Sequence, residues 1–255
     1  MERRNLPLLW QYSFSNFNEK VRWALDHKRI PHRRRSLLPM GPRSLWFSRG
    51  SGTLPALDLD GERIVDSTRI IAALEERHPG PLLYPADSRE REHALALEDF
   101  FDEHAGHDVR RLGFMESWDE TEFGARMFTT DQPAPIGFAV RKVAPVIRPV
   151  LWRFVDRRYG FDATSFENSK QALRAALDRI EAERSGGPYL AGDSFTVADL
   201  TAAALLYPLV WPDEYPYELP EPPPSPFRES VGGHPALDWL RGIWRRHRGE
   251  SAEVR

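Results

Sequence analysis

Between Ser13 and Asn18 the chain reads Ser-Phe-Ser-Asn-Phe-Asn, four hydrogen-bonding side chains in six positions at the mouth of an amphipathic helical stretch. Donors placed there favour an anion, because the unpaired N–H groups and the helix dipole carry partial positive charge. Ser15 has no evident base beside it, so its hydroxyl suits donation rather than nucleophilic attack. Plain helix capping is the other use of a serine at that point. A second group is Asp66-Ser67, which opens another helical stretch. The helix mouth and the Ser67 hydroxyl suit a carboxylate there, and Asp66 suits an ammonium. A third group, Glu98 to Asp108, places His104/Asp108 and Glu103/His107 four residues apart, a spacing that permits a metal on a helix face. Gly106 weakens that helix and no HExxH pattern is present, so a solvated acidic face or a dimer contact is expected and no metal. Cysteine is absent. Disulfides, thiolate metal sites and cysteine nucleophiles are thereby excluded, and any thiol chemistry needs a thiol carried in by a ligand.

The 255 residues hold 35 basic and 38 acidic side chains, a net charge of -3 that speaks against a dedicated nucleic-acid binder. A chain of this length makes one large domain or two small ones. No uninterrupted apolar run is long enough for a transmembrane helix, so no stable membrane insertion is expected. Met1-Glu-Arg-Arg is followed only by the short apolar run Leu6 to Trp10, without a small-residue cleavage site. No secretion signal is expected, and the cytoplasm is the expected location. Lysine occurs only at 20, 28, 142 and 170. This dominance of arginine reads as the codon usage of a GC-rich, bacterial genome.

The elements that must position these groups follow from periodicity. Leu6 to Tyr12 suits a buried strand. Asn16 to Lys28 reads as a helix with Phe17, Val21, Ala24 and Leu25 on one face, and Asn16 with Glu19 has the spacing of a capping box. His32 to Leu38 reads as an edge strand because of its basic run. A short irregular helix at Ser44 to Phe47 precedes a hairpin, Leu54 to Leu59 and Arg63 to Val65, turning at Asp60-Gly61. A helix from Asp66 to Arg77 stops at His78-Pro79-Gly80. The order is β-α-β-α-β-β-α over residues 1–80, followed by a connector, 81–87, and a helical region, 88–255. Helices are expected at Glu90 to His104, Phe166 to Arg184, Val197 to Tyr207 (almost wholly apolar, hence buried) and Pro235 to Arg248. Pro145 and Pro149 should kink or divide a stretch from Ile136 to Tyr159 that is both apolar and basic, and that also suits a membrane surface less well than an exposed protein face. The Pro-rich segment 211–233 is too long for a plain connector and reads as a lid or wall of a site.

Four stretches in this order resemble the glutathione S-transferase family. Ser13-Phe-Ser15 through Val21-Arg22-Trp-Ala-Leu25 resembles the activating turn and its helix. Thr53-Leu54-Pro55 resembles the stretch that ends in a cis-proline. Asp60-Gly61 through Asp66-Ser67 resembles the hairpin and the acidic-Ser pair that hold the γ-glutamyl end of glutathione. Phe195-Thr196-Val-Ala-Asp199-Leu200 resembles the capping box of the helical domain. The resemblance spans roughly residues 6–208. It implies a thioredoxin-like α/β N-terminal domain with a mixed sheet, followed by an all-α helical-bundle domain. It also implies glutathione as co-substrate, a homodimer and a detoxifying role.

On this resemblance Ser15 is the activating residue, with Ser13, Asn16 and Asn18 as alternatives should the register shift, and Tyr12 a weaker one. Leu54, Pro55, Asp66 and Ser67 would hold the tripeptide. The reaction implied is attack of the bound thiolate on an apolar electrophile, giving a thioether. Mixed-disulfide exchange through an enzyme cysteine is excluded at position 15. Phe100, Phe101, His104 and Trp211 are expected to wall the electrophile pocket. A different function class stays open: a non-catalytic member that binds a hydrophobic ligand or serves as a dimeric scaffold.

Overall fold

The computed structural model describes residues 6–39, 42–47, 54–159, 162–184 and 187–254. Met1 to Arg4, on which the expected lack of a secretion signal rests, and Thr53 lie outside them.

Strands β1 (Leu8–Gln11), β2 (Arg33–Ser36), β3 (Ala56–Leu59) and β4 (Glu62–Val65) form one sheet in the order β2-β1-β3-β4. β1 pairs parallel with β2 and antiparallel with β3, and β3 pairs antiparallel with β4 through the Asp60-Gly61 turn. The sheet is therefore mixed, and the basic strand β2 is its edge, as the charge pattern requires. Helix α1 (Asn16–His27) connects β1 to β2, α2 (Pro42–Phe47) precedes β3, and α3 (Ser67–Arg77) follows β4. The chain then becomes helical: α4 (Ser88–Phe101), a π-helical turn (Asp102–Gly106), α5 (His107–Ser117), α6 (Thr121–Phe128), α7 (Ala134–Tyr159), α8 (Ala163–Glu183), α9 (Val197–Leu205), α10 (Tyr207–Val210), α11 (Pro226–Val231) and α12 (Pro235–His247). This is the two-part thioredoxin-like and helical architecture expected from the residues.

Helix α9 is buried along its whole length and packs against α1, α4 and α12. Its Thr196–Asp199 capping box is formed, and Asp199 also accepts from the Leu190 N–H at 2.9 Å. Trp23 of α1 and Trp244 of α12 meet at 4.6 Å between ring centres, both fully buried. Their indole N–H groups are satisfied by the carbonyls of His247 and Ala203. The core is thus continuous from the sheet-bearing part into the helical part. After α12 the chain returns to the sheet edge, where the Val254 N–H donates to the His32 carbonyl at 2.8 Å.

Two local expectations are corrected. Asn16 and Glu19 do not form a capping box: Ser15 is the N-cap of α1, and Glu19 is wholly buried in ion pairs with Arg22 and Arg248. Pro145 and Pro149 do not divide the 134–159 region, which is one helix. Both prolines are exposed, so the carbonyls they leave unpaired face water.

Candidate functional site

Strand β1 delivers the chain into the Tyr12–Ser15 turn, whose carbonyls all point into the protein. The Tyr12 carbonyl accepts from Arg22 Nη1 at 3.3 Å and from the Ser15 N–H at 3.2 Å. The Ser13 carbonyl accepts from Arg22 Nη2 at 3.0 Å and from the Tyr215 hydroxyl at 2.7 Å. The Phe14 carbonyl accepts from the Tyr207 hydroxyl at 2.5 Å. Arg22 is fully buried, with Gln11 and Glu19 as further partners. Burial alone would lower its pKa, but the surrounding Tyr215, Glu19 and Tyr217 raise it, so the cation is permanent. The turn is therefore clamped from inside by α1, α10 and the Pro-rich segment.

Ser15 stands at the N-terminus of α1, half-buried, and its side chain makes no capping bond. Its carbonyl accepts from the Glu19 N–H at 2.9 Å, closing the first helical turn. The alternative donors are occupied or buried. Asn16 Nδ2 donates to the carbonyls of Gly106 and Leu205 at 2.9 and 3.2 Å, and its Oδ1 accepts from the Phe17 N–H. Asn18 is fully buried, donates to the Leu54 carbonyl at 3.2 Å and accepts from the Tyr12 N–H at 3.3 Å. Ser13 is 2% exposed. Gly106 lets the helical part approach α1 closely: a Cβ there would stand 2.6 Å from the Phe17 ring.

Asn18 thus ties the turn to the second expected element. The Leu54–Pro55 peptide bond is cis and leads directly into β3. The third element is tied in two residues further along α1, from the opposite face. Asp66 is the N-cap of α3, with φ 88 and its carboxylate accepting from the Arg69 N–H at 3.1 Å, and Ser67 is 3% exposed at the first helical position. Lys20 Nζ donates to Thr68 Oγ1 at 3.1 Å and pairs with Asp102 at 2.7 Å and Glu98 at 2.8 Å. Asp102 in turn accepts from the Thr68 hydroxyl at 2.8 Å. Glu98 and Asp102 are four residues apart at the end of α4, so both carboxylates reach Lys20 from one helix face. Burial opposes the Lys20 charge, but Asp102 and Glu98 outweigh it and raise the pKa; burial pushes Glu98 up against the pull of Lys20. The turn before Ser15, the cis-Pro55 loop and the head of α3 are therefore all braced by α1, the first two by Asn18 and Arg22 on one face and the third by Lys20 on the opposite face.

The expected pocket residues scatter. Phe101 is fully buried in the core. Phe100 packs on Phe101 and exposed His104 and lies under the Arg179 guanidinium of α8. Trp211 lines a cavity of about 60 Å³ between α5, α6 and Pro222–Ser225. The rings next to the turn are others: Phe14 stacks on Tyr12 and meets Phe128 at 5.0 Å, and Phe128 meets Phe114 at 6.3 Å. The Pro-rich segment serves the turn from inside through Tyr215 and Tyr217, whose rings flank the Arg22 guanidinium at 5.4 and 5.2 Å. Among the described residues no three His, Asp or Glu side chains converge as metal ligands.

Arg22, Lys20, Asp102 and Tyr215 escaped sequence reasoning as parts of this site. One signal pointed to Lys20: in a chain with only four lysines, Lys20 and Lys28 lie in the first thirty residues, and both prove to be buried ion-pair partners.

Comparison with known proteins adds to this geometry. Family models described as the N-terminal and C-terminal domains of glutathione S-transferase match residues 9–82 and 163–241. A maleylacetoacetate isomerase of Pseudomonas aeruginosa is 30% identical over 166 residues, 58% of this chain and 73% of that protein. The β-etherase LigF from Sphingobium sp. strain SYK-6 superposes with a TM-score of 0.68 at 21% identity, covering 95% of this chain and 96% of that one. A glutathione S-transferase from Methylobacillus flagellatus, solved with glutathione bound, superposes with a TM-score of 0.64 at 18% identity over 97% and 100% of the two chains.

Proposed function

We propose that this chain, which belongs to the glutathione S-transferase family, binds glutathione between the Ser15 turn, the Leu54–Pro55 loop and the head of α3, and directs its thiolate at an apolar electrophile. The observation that carries the reading is the Ser15 hydroxyl, which makes no capping bond and takes no partner among the described residues, at the N-terminus of a 12-residue helix whose entry turn is clamped from within. The buried Ser67 hydroxyl and the α3 N–H groups suit the γ-glutamyl carboxylate, and Asp66 suits its ammonium. Glutathione bound in a structural relative supports glutathione as the ligand.

A free thiol of this kind has a pKa near 8.5. Bringing it to about 6.5 takes roughly 2.7 kcal/mol of selective thiolate stabilisation. A hydroxyl donor and a helix N-terminus together supply that order of energy. Ser15 keeps its proton throughout. The carbon–sulfur bond forms at the electrophile. In substitution the leaving group departs with its electron pair; in addition the new carbanion takes a proton from water. Phe14, Phe114 and Phe128 are the aromatic wall on the electrophile side, in place of Phe100 and Phe101.

Thermal unfolding with and without millimolar glutathione and S-hexylglutathione tests binding. At a ligand excess of ~100-fold over Kd the melting temperature should rise by roughly 5 °C. No rise with either ligand would remove the tripeptide site. Conjugation of a chloronitrobenzene then separates an enzyme from a binder or scaffold.

A further inference from the structure

We propose that α7 is a peripheral docking element that lays its outer face on an anionic lipid surface. Eight large hydrophobic side chains stand out as exposed among the described residues, and six of them are on this one helix: Ile136, Phe138, Val143, Val146, Ile147 and Val150. Ile136, Val143, Val146, Ile147 and Val150 recur at intervals of three, four and seven, so they form a single stripe. Val146 and Val150 are 79% and 71% exposed. The opposite side of the helix is occupied. Gly137 sits against Thr129, Arg141 pairs with Glu122, and Arg148 pairs with Asp119, so the helix is fixed on α6 with its stripe turned outward.

Charge selects the occupant. Residues 134–159 hold six basic side chains (Arg141, Lys142, Arg148, Arg153, Arg157, Arg158) against Asp156, a net +5 in a chain whose total is -3, and still +3 once Arg141 and Arg148 are set against Glu122 and Asp119. Lys142 and Arg153 are exposed, and Lys142 lies over the Phe138 ring at 5.5 Å. Two copies of this helix face to face would oppose like charges along the seam. A layer with acyl chains below and anionic headgroups above satisfies both the stripe and its cationic flank. At 26 residues the helix is about 39 Å long and would lie in the interface plane. No described helix is long and apolar enough to cross a membrane.

The test is co-sedimentation of the full chain with vesicles of phosphatidylcholine alone, or with about one-third phosphatidylglycerol, at low and high salt. Binding is expected only to the anionic vesicles, and salt should weaken it. Val146→Glu/Val150→Glu should lower binding at least ~10-fold with an unchanged melting temperature, since both side chains are already in water. Lys142→Glu/Arg153→Glu should lower it roughly 5-fold per position, about 1 kcal/mol each, and abolish the preference for anionic lipid. The proposal is overturned if the protein ignores anionic vesicles at low salt or if neither double variant changes binding. It is also overturned if the valine variant splits an oligomer in sedimentation velocity, for the stripe would then be a contact between copies.

Discussion

The Arg22 guanidinium and the Tyr215 hydroxyl meet at 2.7 Å, and both donate to the Ser13 carbonyl. Residues 193 positions apart thus fix one peptide of the turn that ends in Ser15. The phenol stays neutral, because burial raises its pKa well above the usual value although Arg22 pulls it down. It can therefore accept from Arg22 while donating to Ser13.

Tyr215→Phe keeps the ring and its packing on Tyr207 but removes one donor to Ser13 and one acceptor for Arg22. The expected cost is about 1–2 kcal/mol in urea unfolding. With the turn loosened, conjugation should lose kcat more than affinity for glutathione, a split that steady-state kinetics at varied glutathione resolves.

Lys20→Met should be more severe. It leaves Asp102 without its cation in a largely buried setting, and loss of one partner of a buried pair costs about 3–5 kcal/mol. Lys20→Met/Asp102→Asn should recover part of that stability, because Glu98 is already pushed toward its neutral form. A double variant no more stable than the single one would show that the two residues are not coupled.

His32 supplies a pH dependence. Its ring is fully buried, Nδ1 donates to the Ile30 carbonyl at 2.8 Å, and Nε2 accepts from Arg34 at 2.9 Å. Burial, with Arg34 beside it, lowers its pKa to about 4. The unfolded chain takes up this proton near pH 6.5 and the folded one only near 4, so the unfolded state binds more protons between those values. The contribution is complete above pH 6.5 and is lost as pH falls through 4, on the order of 3 kcal/mol. Denaturant unfolding from pH 7 to 4 should show this slope, and His32→Gln should flatten it. Because His32 also anchors the 252–254 segment through backbone hydrogen bonds, the same titration should expose the C-terminal residues to proteolysis.

Asp199→Ala removes the acceptor for the N–H groups of Thr196 and Leu190 at the head of a wholly buried helix. A loss of about 2–4 kcal/mol is expected, more than a simple cap, with kcat of the folded fraction unchanged. Altered kcat per folded molecule would place Asp199 in the chemistry after all.

Local signals carried the order of elements in the first 80 residues, the hairpin, the α9 capping box and the Asp66–Ser67 helix mouth into view from the sequence, because each depends on neighbours within a few positions. The clamps were invisible for the opposite reason. Tyr215 lies in a stretch whose prolines announce only irregular backbone, and nothing local says that its hydroxyl reaches residue 13. Asp102 looked like part of an acidic surface, since its partners Thr68 and Lys20 lie 34 and 82 positions away. Phe100 and Phe101 fitted a pocket wall by type and position. The rotation of α4 instead sends one into the core and the other toward α8.

The central claim is that Ser15 and the mouth of α1 lower the pKa of a bound thiol. It is tested most directly by titrating the ultraviolet thiolate absorbance of glutathione bound to the wild-type protein and to Ser15→Ala. The account predicts a midpoint near ~6.5 in the wild type and a rise of about one unit or more in the variant, at similar glutathione affinity. Identical midpoints, or a wild-type midpoint at the free-thiol value, would contradict it.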